Sequence, residues 1–500
     1  MNRPKHIIIL GSGFAGIETL RRLQKKFKDD NRVELTLVSK DNFLLFTPML
    51  PEVSVGMIET RDIITPVRVF CKKATFYQSI IKSIDLKKKE VVIANLIGNQ
   101  YDHHRTQIHV LNYDYAVIAL GGVTNFFGNR ELERYTLTMK SIDDALILRN
   151  HIINVLEQAS LEEGENKAEH IFQKEDNQPQ GYNDDLTKKS LLTFVVVGGG
   201  FSGIETVGAL NDFVRETITT FYKNIDNKDI RVVLIEGEDK IMSEVDSELG
   251  TFVLKRLEER GVEFILNTFV DSASKDHIRL ASGITIPTYT IVWTAGLTVS
   301  MLIKNLECEH AEDGRILVNN YLQLCDNPRV YALGDCAYIM DTKTGRPYPP
   351  TAQHAIREGK IAAQNLITSI YNELNQIEQK SKERKLKEFN YKSRGKMAEI
   401  GKRIGVADIF GLTFKGFVAW WLWRTFYLAQ VPTRRKKIKI ILDWSLDTIF
   451  RPDVAMIKRI KGDEFFASNE KDITDITHEE KVEGKVDNDD TDSIENHKGI

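Results

Sequence analysis

The chain has 500 residues, with 68 Lys and Arg against 71 Asp and Glu, so its formal net charge at pH 7 is -3. This near balance gives no sign of the basic surface that nucleic-acid binding requires. A length of 500 residues exceeds what one hydrophobic core usually serves, and the apolar fraction of 42% is that of an ordinary globular protein. We therefore expect two or three domains and no nucleic acid as a partner.

The four cysteines are scattered along the chain, and no two stand at the Cys-x-x-Cys spacing of a zinc site or an iron-sulfur cluster. Their pattern argues against a metal site and against a disulfide framework, and it fits a reducing compartment. No charged-then-apolar leader precedes the first motif, so we expect no secretory signal and a protein that faces the cytoplasm. The cysteines are Cys71, Cys308, Cys325 and Cys336.

An apolar strand, three glycines and a helix start follow one another at Lys5–Glu18, which reads K-H-I-I-I-L-G-S-G-F-A-G-I-E. In a dinucleotide-binding turn the first glycine permits the tight turn, the second lets the backbone approach a pyrophosphate, and the third lets helix and strand pack closely. The helix N-terminus adds unpaired N–H groups and the positive end of its dipole. These roles fall to Gly11, Gly13 and Gly16.

A near copy of this turn stands at Phe194–Glu205, F-V-V-V-G-G-G-F-S-G-I-E, with Gly198, Gly200 and Gly203 in the same three roles. One glycine turn is a weak signal, because it can be only a tight turn in an α/β sheet. Two copies, each between a strand and a helix, favour two bound nucleotides. We therefore predict an α/β fold with two Rossmann-like dinucleotide-binding domains.

Two further strands end where a dinucleotide domain contacts the ribose. Val33–Ser39 ends in a serine that can hydrogen-bond a ribose hydroxyl, although the usual acid is missing there, and Lys40 follows it. Arg231–Glu236 ends in an acid that suits both ribose hydroxyls of NADH and would repel the 2′-phosphate of NADPH. The alternative for Glu236 is a solvated acid at the end of a strand.

Three buried strands end in small residues, where the backbone must approach a neighbour closely. Asp335 follows the last of them, and it either accepts a hydrogen bond from a ribityl hydroxyl of a flavin or only caps a turn. The segments and the residues at their ends are Tyr113–Gly122 with Gly121, Ile291–Gly296 with Ala295 and Gly296, and Val330–Ala337 with Gly334.

Together these motifs resemble those of the type II NADH:quinone oxidoreductases, single-subunit flavoproteins with two dinucleotide domains. The resemblance covers roughly residues 5–452 apart from a polar linker. It rests on G-S-G-F-A-G-I-E, N-F-L-L-F-T-P-M-L-P, Y-D-Y-A-V-I-A-L-G-G, G-G-G-F-S-G-I-E, W-T-A-G, A-L-G-D-C-A, P-P-T-A-Q-H-A-I-R-E-G and G-F-V-A-W-W-L-W-R.

The resemblance implies FAD on the first turn and the A-L-G-D segment, and NADH on the second turn. The implied contacts are Gly11, Gly13, Gly16, Gly121 and Asp335 for FAD, and Gly198, Gly200, Gly203 and Glu236 for NADH. Neighbouring residues predicted to line the two sites are Phe14, Ala15, Ser39, Lys40, Phe201, Ala295, Gly296 and Gly334.

The resemblance also implies three residues that act in the reaction. The family's quinone pocket carries an A-Q-x-A-x-Q pattern at a helix start, which here reads A-Q-H-A-I-R, so that Gln353 matches and Arg357 replaces the second glutamine. An arginine can donate to a quinone carbonyl and stabilise a developing quinol anion. A polar helix-start residue without a ligand is the alternative for Gln353. Glu205 matches a family glutamate where nicotinamide and flavin meet, and it either delivers protons or is a buried, paired glutamate.

An apolar segment at Phe410–Val431 approaches the ~20 residues of a membrane span, but Lys415 and Arg424 interrupt it. A charge in mid-span costs about 2.5 kcal/mol or more, so we predict a helix-turn-helix at the membrane interface, with its tryptophans at headgroup depth.

The next segment, Arg434–Phe450, sets a basic flank beside an apolar stripe at helical spacing, which is typical of an amphipathic anchor on anionic lipid. Core packing or a dimer interface is the alternative, and the resemblance implies both an anchor and a homodimer. The basic residues are Arg434, Arg435, Lys436, Lys437 and Lys439, and the stripe is Ile438, Ile441, Leu442, Leu446 and Ile449.

Composition and motifs divide the chain into six predicted segments. They are 1–156, the first part of an FAD-binding domain; 157–190, a polar linker; 191–297, an NADH-binding domain; 298–395, the second part of the FAD-binding domain; 396–462, a membrane-anchoring and dimerisation region; and 463–500, an acidic disordered tail.

The function implied is FAD-dependent oxidation of NADH with reduction of a membrane quinone, by a ping-pong hydride relay that feeds a respiratory chain. We expect a peripheral membrane protein on the cytoplasmic face and no proton pumping, because no bundle of spanning helices is apparent. One alternative is a sulfide:quinone oxidoreductase, whose chemistry needs cysteines over the flavin. Another is an NADH-sensing flavoprotein that acts through protein partners recruited by the acidic tail.

Overall fold

The computed structural model describes residues 3–97, 105–168, 184–377, 384–451 and 453–456. Its helices are α1 (Phe14–Lys26), α2 (Leu50–Ser54), α3 (Arg130–Tyr135), α4 (Ile142–Ala168), α5 (Asp184–Leu191), α6 (Phe201–Phe221), α7 (Ser247–Glu258), α8 (Met301–Lys304), α9 (Ala352–Ile377), α10 (Phe417–Gln430) and α11 (Arg434–Ile449).

The strands are β1 (Lys5–Leu10), β2 (Val33–Ser39), β3 (Phe43–Leu45), β4 (Ile64–Pro66), β5 (Thr75–Gln78), β6 (Ile80–Asp85), β7 (Glu90–Ile97), β8 (Arg105–Asn112), β9 (Tyr115–Ile118), β10 (Val123–Thr124), β11 (Leu137–Thr138), β12 (Thr193–Val197), β13 (Arg231–Ile235), β14 (Val262–Ile265), β15 (Val270–Ala273), β16 (His277–Leu280), β17 (Thr285–Pro287), β18 (Thr290–Trp293), β19 (Leu297–Thr298), β20 (Ile316–Leu317), β21 (Val330–Ala332), β22 (Ala337–Tyr338), β23 (Met340–Asp341), β24 (Arg346–Pro347), β25 (Gly395–Glu399), β26 (Gly405–Ile409) and β27 (Leu412–Gly416).

The first core is a parallel sheet with the strand order β21-β9-β1-β2-β5. In its centre, β1 buries the continuous apolar run 7–10, as a parallel strand covered on both faces requires. It pairs in parallel with β2 from Lys5 opposite Val33, and with β9 from Ile7 opposite Tyr115. Because β21 pairs with β9, the sheet is completed by residues 330–332, far along the chain.

The second core is a parallel sheet with the strand order β11-β18-β12-β13-β14. The segment Thr193–Val197 is wholly buried between its neighbours and leads directly into the second glycine turn and α6. The edge strand β11 pairs with β18, Leu137 lying opposite Val292. Residues 137–138, which we predicted within the FAD-binding domain at 1–156, therefore belong to the second sheet.

The predicted linker at 157–190 needs correction at both ends, because α4 continues to Ala168 and α5 begins at Asp184. Composition hid the first of these helices, since its apolar side chains are spaced three and four residues apart among polar ones. They pack on the core of the second sheet, and the ones that are fully buried are Ala145, Leu148, Ile152, Leu156 and Ala159. Residues 169–183 and the predicted acidic tail at 463–500 lie outside the described residues.

The C-terminal part of the chain forms an antiparallel sheet, β25-β26-β27, followed by α10 and α11. The predicted helix-turn-helix within Phe410–Val431 is wrong for its first part, because residues 412–416 form β27 and pair with β26. The helical pair is instead α10 with α11. Among the described helices, none has both the length and the apolar composition needed to cross a bilayer.

Helix α1, which carries the first glycine turn, packs closely against α9. Gly359 permits the approach, since a Cβ there would stand 2.5 Å from the carbonyl oxygen of Ala15. The hydroxyl of Thr19 donates to the carbonyl oxygens of Ala15 at 2.8 Å and of Gly359 at 3.2 Å. The start of α9 is thereby fixed against the first turn.

The substitution Gly359→Ala should therefore destabilise the protein. Alanine usually gains about 1 kcal/mol over glycine inside a helix, but overpacking at a backbone contact costs about 1–3 kcal/mol. We expect a lower midpoint of thermal unfolding, measured by circular dichroism. The exposed neighbour Lys360 supplies the control, Lys360→Ala, which should leave the midpoint unchanged. Equal midpoints for the two variants would contradict the proposed close packing.

Candidate active site

The first glycine turn has the geometry of a phosphate cradle. Gly11 has a φ of +104° and lies so close to the carbonyl of Ala119 that a side chain would collide with it. A Cβ at Gly16 would likewise collide with the carbonyl oxygen of Gly11, so this helix start and strand end are in direct backbone contact. Beside Gly13, in contrast, a Cβ would meet nothing within 4 Å. That open space at the N-terminus of α1 is what a pyrophosphate needs.

Three predicted motifs meet at Gly334. A Cβ on this residue would lie 3.8 Å from the Cβ of Ala355, on α9, and 3.9 Å from the Cβ of Ala15, on α1. The first turn, the A-L-G-D segment and the start of α9 are therefore neighbours. Asp335 follows at once, and its carboxylate pairs with Lys140 at 3.5 Å.

A buried carboxyl group on α9 contacts this junction. Glu358 accepts a hydrogen bond from the backbone N–H of Gly334 at 2.7 Å. Burial raises the pKa of Glu358 to about 7. No sequence motif singled out this residue, although it stands in the quoted run P-P-T-A-Q-H-A-I-R-E-G.

The other residues predicted at the first site surround the same turn. Ser39 is buried at the end of β2, where its hydroxyl lies 2.8 Å from that of Ser12, whereas Lys40 is exposed. Gly121 follows β9, and a Cβ there would meet nothing within 4 Å. Phe14 is half-buried, and its ring meets that of Phe46 edge to face, with 5.9 Å between centroids.

The second glycine turn repeats this geometry. Gly198 has a φ of +107°, and a Cβ there would lie 2.9 Å from the backbone nitrogen of Ala295. A Cβ at Gly203 would collide with the carbonyl oxygen of Gly198, whereas one at Gly200 would meet nothing within 4 Å. As in the first turn, the first and third glycines have no room for a side chain and the second one has. The chain therefore offers two equivalent nucleotide sites.

Glu236 lies at the mouth of the second turn, because its carboxylate accepts a hydrogen bond from the N–H of Gly199 and another, at 2.9 Å, from that of Glu238. The structure thus places this acid beside the glycines despite their distance in sequence. Phe201 begins α6 and is half-buried. Gly296 is exposed and packs against the ring of Phe127, since a Cβ there would stand 2.9 Å from its Cζ.

Gln353 and Arg357 lie together on the first turns of α9, and both contact Tyr391. The amide of Gln353 donates to the hydroxyl of Ser393 at 3.3 Å and accepts from the hydroxyl of Tyr391 at 3.2 Å. Arg357 lies over the ring of Tyr391, 4.3 Å from its centroid, and donates to the carbonyl oxygen of Gln353 at 2.7 Å. No motif signals Tyr391, which the fold brings to α9 from residues 384–395.

Glu205 lies on α6, two residues beyond Gly203, in the wall of an open cleft. Its Oε1 accepts from the indole N–H of Trp423 at 3.1 Å and from the backbone N–H of Glu399 at 3.3 Å. Removal from bulk water raises the pKa of Glu205 to about 8, so the group is protonated at neutral pH. This geometry agrees with the paired glutamate and leaves a proton available for delivery.

The cleft also adjoins two buried carboxyl groups that the motifs did not single out. Glu52, on α2, and Glu399, at the end of β25, both lie in its wall. Arg424, predicted as a charge that interrupts an apolar segment, is buried between them, at 3.4 Å from Glu52 and 3.6 Å from Glu399. Of these three residues, only Arg424 stands inside a quoted motif; Glu52 directly follows one, and Glu399 lies outside them.

The tryptophans of the C-terminal helices need a corresponding correction. Trp421 is 54% exposed, but Trp423 is only 1% exposed and Trp444 8%. The indole N–H of Trp420 donates to Glu399 at 2.7 Å, and that of Trp444 donates to Glu52 at 2.9 Å. Three of the four indoles thus face protein carboxyl groups, because these groups need donors where water is excluded.

Two of the candidate catalytic residues, Gln353 and Glu205, contact opposite ends of the segment 391–399. Gln353 contacts Tyr391 and Ser393 at the start of this segment, and Glu205 accepts from the N–H of Glu399 at its end. A series of rings then extends from the cleft toward the first turn. The ring centroids of Trp423 and Tyr427 are 4.7 Å apart, those of Tyr427 and Phe46 6.1 Å, and those of Phe46 and Phe14 5.9 Å.

Residues 5–359 match the pyridine nucleotide-disulphide oxidoreductase family. The chain belongs to this family. Flavin and nicotinamide dinucleotides are the ligands that its two glycine turns suit. Residues 393–453 separately match the NDH2 C-terminal domain, which covers β25–β27, α10 and α11.

Related proteins align with most of the chain. A probable NADH dehydrogenase of Dictyostelium discoideum is 28% identical over 451 residues, which cover 90% of each chain. A type II NADH:quinone oxidoreductase of Mycobacterium tuberculosis is 28% identical over 455 residues, covering 89% of this chain and 88% of the relative. The family resemblance predicted from the motifs is therefore confirmed.

The fold is also that of a solved structure, NDH2 from Plasmodium falciparum in complex with NADH. The two chains superpose with a TM-score of 0.76 at 21% identity, over 91% of this chain and 100% of the other. The predicted α/β class is confirmed by this likeness.

The raised pKa of Glu205 predicts how stability depends on pH. From pH 4.5 to about 8 the folded state holds a proton on Glu205 that the unfolded chain releases, so stability falls as pH rises through this range. Glu205→Gln cannot ionise, and we expect a smaller fall in its melting temperature between about pH 5 and pH 9. The matched control is Glu258→Gln, at an exposed position at the end of α7. If Glu205→Gln and Glu258→Gln lose stability equally with pH, the assignment fails.

Proposed function

We propose that this protein oxidises NADH with the help of a bound FAD and passes the two electrons to a membrane quinone. The observation that carries the proposal is the meeting of the first turn, the A-L-G-D segment and the start of α9 at Gly334. This geometry sets the predicted quinone helix directly against the predicted FAD site. The activities named for the Dictyostelium and Mycobacterium relatives support this proposal.

The chain's own residues serve mainly to hold and orient the two dinucleotides. The open positions at Gly13 and Gly200 receive the pyrophosphates, and the N-termini of α1 and α6 stabilise their charge. Asp335 would accept a hydrogen bond from the ribityl chain of FAD, and Glu236 would accept one from the ribose of NADH. The chemistry that bound FAD would supply is acceptance of a hydride from NADH and donation of two electrons to the quinone.

Gln353 and Arg357 orient the quinone. The Gln353 amide is held on both sides by Tyr391 and Ser393, which fixes the direction of its donor and acceptor. Arg357 rests on the ring of Tyr391, so its position is fixed while its charge remains beside the pocket. This fixed cation stabilises negative charge that develops on a quinone oxygen.

Glu205 delivers a proton to the reaction. NADH supplies two electrons and one proton as a hydride, and a quinol carries two protons, so one proton must come from solution. With a pKa of about 8, Glu205 holds a proton at neutral pH and can release it to a stronger base. No proton is pumped in this scheme, because the proton that is consumed is taken up on one side only.

The C-terminal helices hold the protein on the surface of a membrane. The predicted apolar stripe of α11 faces outward, while Ile440 and Trp444 on its other face are buried. We propose that this stripe and the exposed part of α10 lie in the cytoplasmic leaflet, and that a second copy packs beside them to form a homodimer. The stripe residues and their exposed fractions are Ile438 60%, Ile441 46%, Leu442 55%, Leu446 50% and Ile449 74%.

The basic flank divides between lipid and protein. Lys436 donates to the carbonyl oxygen of Arg61 at 2.8 Å, Lys437 to that of Ala429 at 2.7 Å, and Lys439 pairs with Asp62 at 3.5 Å. Arg434 and Arg435 are exposed at the start of α11. These two arginines are therefore the ones that we propose for contact with anionic headgroups.

The sulfide:quinone alternative is disfavoured by the state of the thiols. Thiolates are the reactive form of cysteine. Burial raises the pKa of Cys336 to about 12 and that of Cys308 to about 11, and it also raises the pKa values of Cys71 and Cys325. All four cysteines thus stay protonated at neutral pH.

Anaerobic NADH should bleach the yellow flavin of the purified protein, and a short-chain quinone should restore the colour. NADPH should act at least about tenfold more slowly, because Glu236 would face its 2′-phosphate. Glu236→Gln should narrow this difference, and Glu238→Gln, which removes an exposed neighbouring charge, should not. A protein without flavin, or with a flavin that NADH leaves oxidised, would overturn the proposed function.

Membrane binding should depend on the outward stripe of α11. The double substitution of Ile441→Ser and Leu446→Ser removes two apolar side chains, each worth about 1.5 kcal/mol on burial, so affinity should fall about 100-fold. Co-sedimentation with vesicles of phosphatidylglycerol and phosphatidylcholine measures this change. Ser445→Ala, on an exposed site of the same helix, is the control and should bind as the parent does. Unchanged sedimentation of the double variant would exclude the stripe as the anchor.

A further inference from the structure

Two buried carboxyl groups share one guanidinium group beside the cleft. The side chains of Glu52, Glu399 and Arg424 are 6%, 8% and 9% exposed. Arg424 approaches Oε1 of Glu52 at 3.4 Å and Oε1 of Glu399 at 3.6 Å. Its guanidinium also lies against the rings of Trp420 and Trp444, 4.2 Å and 4.6 Å from their centroids, which limits its movement.

The charges of this group do not balance if both acids are ionised. One guanidinium cation neutralises one carboxylate, and a second carboxylate would be a buried, unpaired charge. Within the described residues, Oε2 of Glu52 and Oε2 of Glu399 are buried and have no hydrogen-bond partner. Burial raises the pKa of both acids, and the repulsion from Glu399 raises that of Glu52 further. Charge balance with the single guanidinium therefore favours a pair that carries one proton.

We propose that Glu52 and Glu399 share a single proton and supply it, by way of Glu205, to the reduction of the quinone. This inference rests on the proposed function. Glu52 and Glu399 return a proton to Glu205 after it has given up its own, so they act on the reaction only through Glu205.

The three carboxyl groups lie beside one cleft. The backbone N–H of Glu399 donates to Oε1 of Glu205 at 3.3 Å, and Glu52, Glu205 and Glu399 all line the same open cleft. A space of about 20 Å³ in the cleft is large enough for a water molecule, which can bridge carboxyl groups that do not touch. The cleft opens to solvent, so the pair can regain its proton from water.

The proton balance closes in three steps. An O–H bond of Glu205 breaks and one O–H bond of the quinol forms, while the two electrons and the hydrogen of the second quinol O–H bond come from the hydride of NADH. The shared O–H bond of the Glu52–Glu399 pair then breaks, and Glu205 is protonated again. Finally the pair takes one proton from water, so that one turnover consumes NADH, one proton and one quinone and yields NAD⁺ and one quinol.

Charged and titratable groups on every neighbouring element bear on this pair. Asp447, on α11, raises the pKa of Glu399 by repulsion, and Arg424 lowers it. Asp212, on α6, also lines the cleft and pairs with Arg260. The groups that face the pair or its outlet are Glu205 and Asp212 on α6, Arg424 and Tyr427 on α10, and Asp447 on α11.

Infrared spectroscopy of the FAD-loaded protein at neutral pH tests the shared proton directly. The C=O band of protonated carboxylic acids, identified by its shift in D₂O, should lose the same intensity in Glu52→Gln and in Glu399→Gln. Either substitution leaves the remaining acid alone with Arg424, where it ionises. The double variant should lose no more than each single variant. Losses that add in the double variant, or no loss at all, would overturn the inference.

Rapid mixing tests the role in turnover. Bleaching of the flavin by NADH should stay within about twofold of the parent in both variants, whereas reoxidation by a short-chain quinone should slow about tenfold above pH 8. The exposed control Glu258→Gln should match the parent in both phases. Equal slowing of both phases with flavin retained would show a structural role and overturn the inference. A parent that never reduces quinone would instead overturn the proposed function, which the infrared result distinguishes.

Discussion

The C-terminal helices are joined to the rest of the chain through one buried arginine. Arg424, on α10, lies between Glu52, on α2, and Glu399, at the end of β25 beside α6. Three tryptophans, Trp420, Trp423 and Trp444, donate their indole N–H groups to Glu399, Glu205 and Glu52 respectively. A buried cation with fewer partners would be costly, so the acids, the arginine and the indoles require one another. The outward stripe of α11 owes its orientation to this arrangement, because Trp444 holds the opposite face of that helix inward.

A second constraint is the contact of backbone with backbone around the first turn. Gly16, Gly334 and Gly359 each stand where a side chain would separate two elements or fill the space between them. The result is that a strand end, a helix start and the N-terminus of α9 converge closely. The chemistry proposed here needs this closeness, since electrons pass between groups that must be held within a few ångströms. Side chains such as Gln353 and Tyr391 then complete the pocket at its edge.

Local sequence predicted the elements that carry the nucleotide sites. The predicted strand at Val33–Ser39 is β2, and the helix predicted after the second turn is α6, because apolar runs and glycine spacing are local signals. Long-range pairing was not predictable in this way. Strand β11 joins the second sheet, and Tyr391 reaches α9, through contacts between residues far apart in sequence. The role of Arg424 in its apolar motif was misinterpreted for the same reason. Only the fold shows that this arginine is buried between two acids.

The strand order of the first sheet also bears on how the chain is made. Its edge strand β21 comes from residues 330–332, and the helix that covers the first turn, α9, begins only at Ala352. A ribosome therefore completes the whole second sheet before it releases the pieces that close the first one. Until then the N-terminal strands keep an apolar edge exposed, which is the kind of surface that chaperones bind.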